Sequence, residues 1–190
     1  MLHGKGRLQT MAEDICIEIL QMKDEVDTAD LIRRNLANFD ESGSVIAAIF
    51  RRLSRLLEIY QQPGSQLFVA RDGGQHGKII ACAGIGPLHG LDPGEGIGEI
   101  RDLVVDMEYR EQGLGSKLLH RCIRSASEFH YKRLYLETTQ NMVHAQKLFL
   151  RTGFRPVTDK HLGSATSQNN TKDIPCYFLM ENLLNKVVNT

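Results

Sequence analysis

Val104-Val105-Asp106-Met107-Glu108-Tyr109-Arg110-Glu111-Gln112-Gly113-Leu114-Gly115-Ser116 is the stretch on which the reading of this chain turns. An apolar strand end passes through a short polar turn into Arg-x-x-Gly-x-Gly, and the glycines open the clearest helical segment. Over residues 113–129, Leu114, Leu118, Cys122, Ile123 and Ala126 recur at helical spacing along one face. Backbone N–H groups at a helix start have no intrahelical acceptor and lie at the positive end of the dipole, so the place suits a phosphate anion. Glycine at 113 and 115 allows close backbone approach and a positive φ, and Arg110 offers a charge-assisted bond. Taken alone, the same residues also fit a helix that merely begins with two glycines. Two other phosphate motifs fail. Gly77-Lys78 is followed by Ile79 where Ser or Thr is needed, and Gly94-x-Gly96-x-Gly98 precedes a strand pattern where a dinucleotide fingerprint would follow one.

Working outward, residues 97–105 read as a strand whose alternation fails where Leu103, Val104 and Val105 run together. A β-bulge explains such a slip, and bulges often lie beside active sites. Upstream, residues 15–20 alternate as a first strand, Asp27 opens a helix carrying Leu31, Ile32 and Leu36, and residues 45–60 form a second helix ended by Pro63-Gly64. Residues 66–70 and 78–85 pair as a hairpin with a long loop. Downstream come a strand over 133–138, a helix over 142–151 stopped by Gly153, and a strand pair at 154–158 and 176–181 around a polar loop. The expectation is one α/β domain spanning 1–190, with a core at about 15–181 and tails at 1–12 and 183–190.

The 190 residues carry 23 basic and 23 acidic side chains, and this balance argues against a polybasic nucleic-acid binder. No apolar run approaches the ~20 residues that span a bilayer, and the first residues lack the apolar stretch of a secretion signal. These features lead us to expect a cytoplasmic protein with no membrane partner. Cys16, Cys82, Cys122 and Cys176 are scattered singly in apolar surroundings, and neither they nor the seven histidines have metal-ligand spacing, so no metal is expected. Asn169-Asn170-Thr171 fits a glycosylation acceptor, a pattern that carries little weight without a secretion signal.

Arg110-x-x-Gly113-x-Gly115 after Leu103-Val104-Val105-Asp106-Met107-Glu108-Tyr109 resembles the acyl-CoA pyrophosphate loop of the GNAT superfamily of N-acetyltransferases. The segment from Tyr135 through Asn141, Ala145, Leu148-Phe149 and Gly153-Phe154 is similar to that family's second motif, in the same order and spacing. The resemblance covers about residues 15–181 and is strongest over 97–154. It implies the GNAT fold, a mixed and mostly antiparallel sheet with splayed fourth and fifth strands. It also implies transfer of an acetyl group from acetyl-CoA to a primary amine, by direct attack through a tetrahedral intermediate. The pantetheine arm would lie between the splayed strands on the backbone of Leu103, Val104 and Val105. The pyrophosphate would meet Arg110 and the backbone of Glu111, Gln112, Gly113, Leu114, Gly115 and Ser116. Asn141 matches a position that often contacts the cofactor, and equally suits the cap of the helix that follows it.

The resemblance assigns roles in the chemistry as well. Glu99 matches a position where some members carry a catalytic glutamate, which takes the proton that a mostly protonated amine must lose. The same glutamate could simply pair with Arg101. A backbone N–H at the bulge, that of Val104, would hold the oxyanion. Many relatives place a Tyr where this chain has Phe149, and that Tyr protonates the leaving thiolate. Phe149 would then line the cofactor without donating a proton, leaving water, Tyr135 or Tyr177 as acid. The chain is therefore read as an N-acetyltransferase, with a non-catalytic acyl-CoA sensor as the alternative. The acceptor would be a small-molecule amine or a peptide or protein amine, and a homodimer is an open expectation because relatives often dimerise. The neutral total hides two unlike parts. Residues 92–111 hold seven acids against Arg101 and Arg110, and residues 112–155 hold eight bases against Glu128 and Glu137. The basic part favours CoA phosphates, and the acidic part is expected to attract a cationic amine.

Overall fold

The computed structural model describes residues 15–36, 50–88, 95–157 and 175–181. The expected tails, residues 37–49 with the start of the 45–60 helix, residues 89–94 and the polar loop with Asn169-Asn170-Thr171 lie outside them. Period-two apolar patterning resolves into seven strands: β1 (Cys16–Ile19), β2 (Gln66–Asp72), β3 (Lys78–Pro87), β4 (Ile97–Val105), β5 (Arg133–Thr139), β6 (Arg155–Val157) and β7 (Pro175–Met180). Between them run α1 (Glu25–Leu36), α2 (Leu56–Tyr60), α3 (Leu114–Glu128) and α4 (Val143–Thr152). Residues 50–53 are also helical, but a turn at Ser54 and Arg55 separates them from α2. Ser54 Oγ donates to the Arg51 carbonyl, a side-chain bond that competes with helix continuation. The first helix starts two residues earlier than its sequence signals suggest. A 3-10 turn at Met22–Asp24 precedes it, in which the Asp24 carboxylate accepts from the Gln21 amide at 3.0 Å.

The strands form one sheet in the order β1-β2-β3-β4-β5-β7-β6, antiparallel throughout except for β4 and β5. Those two run parallel because α3 returns the chain to the end at which β4 began. Alternation sends side chains to two cores. On one face, α3 and α4 cover Phe68, Ile80, Ala83, Ile85, Ile100, Leu134 and Leu136, with Phe149, Phe154 and Phe178 in edge contact at the far end. On the other, α1, α2 and the 50–53 turn press Leu31, Ile32, Leu53, Leu56 and Tyr60 onto Leu67, Val69 and Cys82. Among the described residues, no helix is long and apolar enough to cross a membrane.

Two irregularities shape the centre of the sheet. β4 and β5 pair only from Ile97–Arg133 to Ile100–Leu136. Beyond that point β4 keeps company with β3 to the Ala81–Val105 pair, and β5 with β7 to the Thr139–Pro175 pair, so the two strands part. This is the splay that the resemblance implied. The second irregularity is its companion: Cys82 lies opposite Val104 and Gly84 opposite Arg101, so β4 carries one extra residue. The bulge falls slightly before the point where the apolar alternation breaks, and within it Asp102 takes a left-handed φ of 54°.

Asp102 is held in that conformation from the helical side. Its carboxylate receives Arg52 through both Nη groups, at 2.5 and 2.6 Å, and the Tyr60 hydroxyl at 2.6 Å. Gly84, across from the bulge, makes room for Tyr60: a Cβ there would collide with the phenol. Burial alone pushes the Asp102 carboxyl up, but Arg52 and Tyr60 outweigh it and hold the group below the usual carboxylate range. Asp102→Asn keeps a residue that tolerates the left-handed conformation while removing the charge. With Arg52 still 32% exposed, we expect a loss of roughly 1–3 kcal/mol in denaturant unfolding at pH 7. Because the folded-state value lies below the unfolded one, the contribution is present above about pH 4 and disappears as pH falls through the lowered value. The gap between wild type and variant therefore narrows in acid, and a gap unchanged down to pH 2 would contradict the assignment.

Candidate functional site

The open end of the splay and the start of α3 meet at residues 105–116. The loop between them is tied down on three sides. Tyr109 donates its hydroxyl to Asp72 at the end of β2 at 2.6 Å, a bond that pushes the phenol up to about 12. Asp106 faces Lys78 Nζ at 3.3 Å, from the start of β3, and Arg34 at 3.7 Å, from α1. Arg110 gives Nε to the Val105 carbonyl at 3.1 Å and one Nη to Asn35 of α1 at 2.8 Å, so it braces the loop while its other N–H groups remain outside these bonds. None of these anchors on β2, β3 and α1 has a local signature in the sequence.

Held this way, the loop takes two left-handed residues, Glu111 at φ 63° and Gly113 at φ 81°, and hands the chain to Leu114. A Cβ built on Gly113 would meet nothing within 4 Å, so the glycine is required by its conformation and its outer side is open. Gly115 differs: it has no left-handed angle, and a Cβ built on it would come within ordinary contact of Leu148 of α4 and Val105 of β4, at 3.4 and 3.8 Å. Beside this turn a cleft of about 360 Å³ is lined by Ile17, Ser116, Lys117, His120, Arg121 and Arg124. An open helix start edged by three basic side chains suits a phosphate-bearing ligand, and the parted strands leave a slot for a linear arm.

Along the slot, Asp106 donates its amide to Ile80 of β3, and Val104, two residues earlier, lies opposite Cys82 of the same strand, so its amide turns to β3 as well. Strand alternation therefore turns the Leu103 and Val105 amides away from β3, towards the gap. Of the three slot residues singled out in the sequence, Val104 is the one whose donor is committed to the β3 side. Its Cys82 partner also donates to the Asp102 carbonyl at 3.2 Å, which stitches the bulge to β3.

Glu99 lies in the last paired rungs before the splay, between Gly86 of β3 and Tyr135 of β5. Burial pushes its carboxyl up, Arg101 opposes that rise, and Glu137 and Asp102 add to it. Glu99 Oε2 stands 3.7 Å from Arg101 Nε, so the two readings of this residue, proton acceptor and ion-pair partner, describe one and the same group. Asn141 is exposed in the turn after β5, and the cap of α4 is Met142, without a side-chain cap bond. Phe149 is 5% exposed and packed edge-on against Phe154 and Phe178. Tyr135 and Tyr177 stack with centroids 6.2 Å apart on the Glu99 side of the sheet. Arg52, Tyr60, Gly84 and Gly86 were not singled out from the sequence. The one available signal was Gly84-Ile85-Gly86, since alternate glycines in a strand mark close approach from one face.

Residues 34–154 match the family described as acetyltransferase (GNAT) family, well over half of the chain. The chain is 29% identical to the uncharacterized N-acetyltransferase YjgM of Escherichia coli K12, over 73% of this chain and 80% of that protein. It is 30% identical to the amino-acid acetyltransferase of Azotobacter vinelandii over 85% of this chain, which spans about a third (32%) of that longer protein. The spermine/spermidine N(1)-acetyltransferase of Bacillus subtilis shares 33% identity over 40% of this chain and 51% of its own length. In three dimensions the chain is similar to yncA of Salmonella typhimurium, solved with its cofactor acetyl-CoA, with a TM-score of 0.65 at 14% identity over 89% of this chain and 94% of that one. A glycine-opened helix, a bulged fourth strand and a parting of the fourth and fifth strands are thus accompanied by a family match that spans all three, and the chain is an acetyltransferase belonging to the GNAT family.

Proposed function

We propose that this protein transfers an acetyl group from acetyl-CoA to the primary amine of a small molecule. The observation that carries the reading is that the splay past Ile100 and the open left-handed turn at Gly113 lie at one end of the same slot. The residues fit the cosubstrate: the Glu111–Ser116 backbone and Arg110 would hold the pyrophosphate, Lys117, Arg121 and Arg124 carry charge complementary to further phosphate, and Leu103 and Val105 offer amides to the arm. Acetyl-CoA supplies the thioester carbonyl. Around it, Glu99 takes the proton that the amine sheds as its nitrogen bonds to the acetyl carbon and the C–S bond breaks. The gap-facing Leu103 amide, the nearer of the two to Glu99 along β4, would receive the oxyanion and that of Val105 would hold the arm, since the Val104 amide first expected in this role turns to β3. The departing thiolate, a tolerable leaving group with an ordinary thiol value near ~8.5, takes its proton from solvent.

The buried, hydroxyl-free Phe149 favours a second reading, an acyl-CoA sensor without turnover. Release of CoA thiol with any amine decides between the two, and we expect release. Since burial raises the Glu99 carboxyl, the wild-type rate should climb with pH through that raised value. Glu99→Gln is expected to slow release by about 100-fold or more above that value, where the wild-type carboxylate is ionised and the acceptor amine still mostly protonated, and the deficit should shrink below it, where the wild-type carboxyl is itself protonated. An unaltered rate in Glu99→Gln at pH 8 removes the base from this position. Gly113→Val forces a β-branched residue to a positive φ, costing about 1–2 kcal/mol, and places carbon where the phosphate would sit. The rise in melting temperature that acetyl-CoA gives wild type should vanish in this variant, and an undiminished rise would remove the pyrophosphate from this loop.

A further inference from the structure

On the face of the sheet away from α3, two apolar clusters leave a charged strip between them. One is the α1–α2 core; the other is Ile97, Tyr135 and Leu179 with Tyr177. Strand register puts Gly84, Gly86, Glu99 and Arg101 in the strip. The acids of the 92–111 segment are far less available than their number suggests. Asp102 is taken by Arg52 and Tyr60, Asp106 by Lys78 and Arg34, and Glu95 by Arg133 at 2.8 Å. Glu99 and Arg101 are left facing each other.

Arg101 is the anomaly. Its side chain is only 14% exposed, and its Nε, shut off from water, has no hydrogen-bond partner among the described residues. Its guanidinium lies over the Tyr60 ring, 5.7 Å from the centroid, and flat on Gly86, where a Cβ would strike it. The carboxylate it faces is Glu99 at 3.7 Å, beyond the 2.7–2.9 Å of a formed guanidinium–carboxylate bond, while Asp102, whose carboxyl its charge helps to hold down, is already taken by Arg52 and Tyr60. A guanidinium N–H shut off from water normally finds an acceptor, because a buried donor left unmade costs about 1–3 kcal/mol. A loosely opposed anion and cation, side by side at the mouth of the slot, form the complement of a zwitterion. A polyamine or a lysine side chain would bring a second cation, or nothing, to Arg101.

We propose that the acceptor is an amino acid or a similar amine with a carboxylate on the adjacent carbon, its carboxylate bound by Arg101 and its amino group presented to Glu99. This rests on the reading of the slot and Glu99 as the acetyl-transfer site. Arg101 is then a binding residue that sets specificity.

The test is a matched acceptor series with wild type, following released CoA thiol and the mass of the product. It uses free amino acids, their methyl esters, the corresponding decarboxylated amines, and spermidine. The expected result is turnover of one or more free amino acids, with kcat/KM falling at least 10-fold for the ester and the decarboxylated amine. Esters or spermidine used as well as the acids would overturn the proposal while leaving the acetyltransferase reading standing. No CoA release with any amine would overturn both. Arg101→Ala should raise KM for the amino acid at least 10-fold and leave acetyl-CoA stabilisation in a melting assay unchanged, and Arg101→Lys should restore only part of the loss. For the methyl ester, Arg101→Ala should change little; an equal loss on acid and ester would make Arg101 structural and sink the proposal. Should Arg101→Ala fail to fold, the wild-type series still decides.

Discussion

The buried contact of Asp102 with Arg52 and Tyr60 is the interaction on which the centre of the molecule depends. A strand residue at φ 54° with its carboxylate out of water is costly twice over, in conformation and in desolvation. Two charge-assisted bonds from Arg52 and one from a phenol offset both. The bulge they secure adds one residue to β4, and where β4 shifts relative to β3 it also leaves β5. The slot between those strands, the direction of the Leu103 and Val105 amides, and the positions of Glu99 and Arg101 all follow from that one displaced residue.

The glycines in this region do separate jobs, and geometry separates them. Gly113 is needed for its backbone angle and faces open space, whereas Gly84 and Gly86 have ordinary strand angles and are needed because Tyr60 and Arg101 lie where side chains would be. At Gly115 neither the backbone angle nor the neighbours within the fold exclude a Cβ. Of the two glycines in the motif, Gly113 is therefore the one that the conformation of the loop itself requires, and both are compatible with a ligand at the same helix start.

Charge arithmetic along the chain misled in one respect. Seven acids in residues 92–111 suggested a field that draws in a cationic acceptor. The fold brings Arg52, Lys78, Arg34 and Arg133 from other elements to Asp102, Asp106 and Glu95, so three of the six described acids are opposed by cations distant in sequence. Linear sequence reports how many charges there are, and only the folded chain reports which of them remain to act over a distance.

Local information was enough for much of the rest. Period-two and 3.6-residue patterning located the strands and the long α3 helix, the broken alternation at Leu103, Val104 and Val105 announced a bulge, and two ordered motifs identified the family, because each depends on neighbouring residues alone. The turn within 45–60 and the start of α1 escaped because side-chain bonds a few residues away decide them, and the Met142 cap escaped because no side-chain cap bond marks it. What tertiary structure alone decided was pairing across long stretches of chain: Arg52 with Asp102, Tyr109 with Asp72, Arg110 with Asn35, the side to which the Val104 amide turns, and a buried Arg101 Nε without an acceptor among the described residues. Sequence spacing determines which face of its own element a side chain occupies. Its partner is determined by which other element the packed core brings against that face.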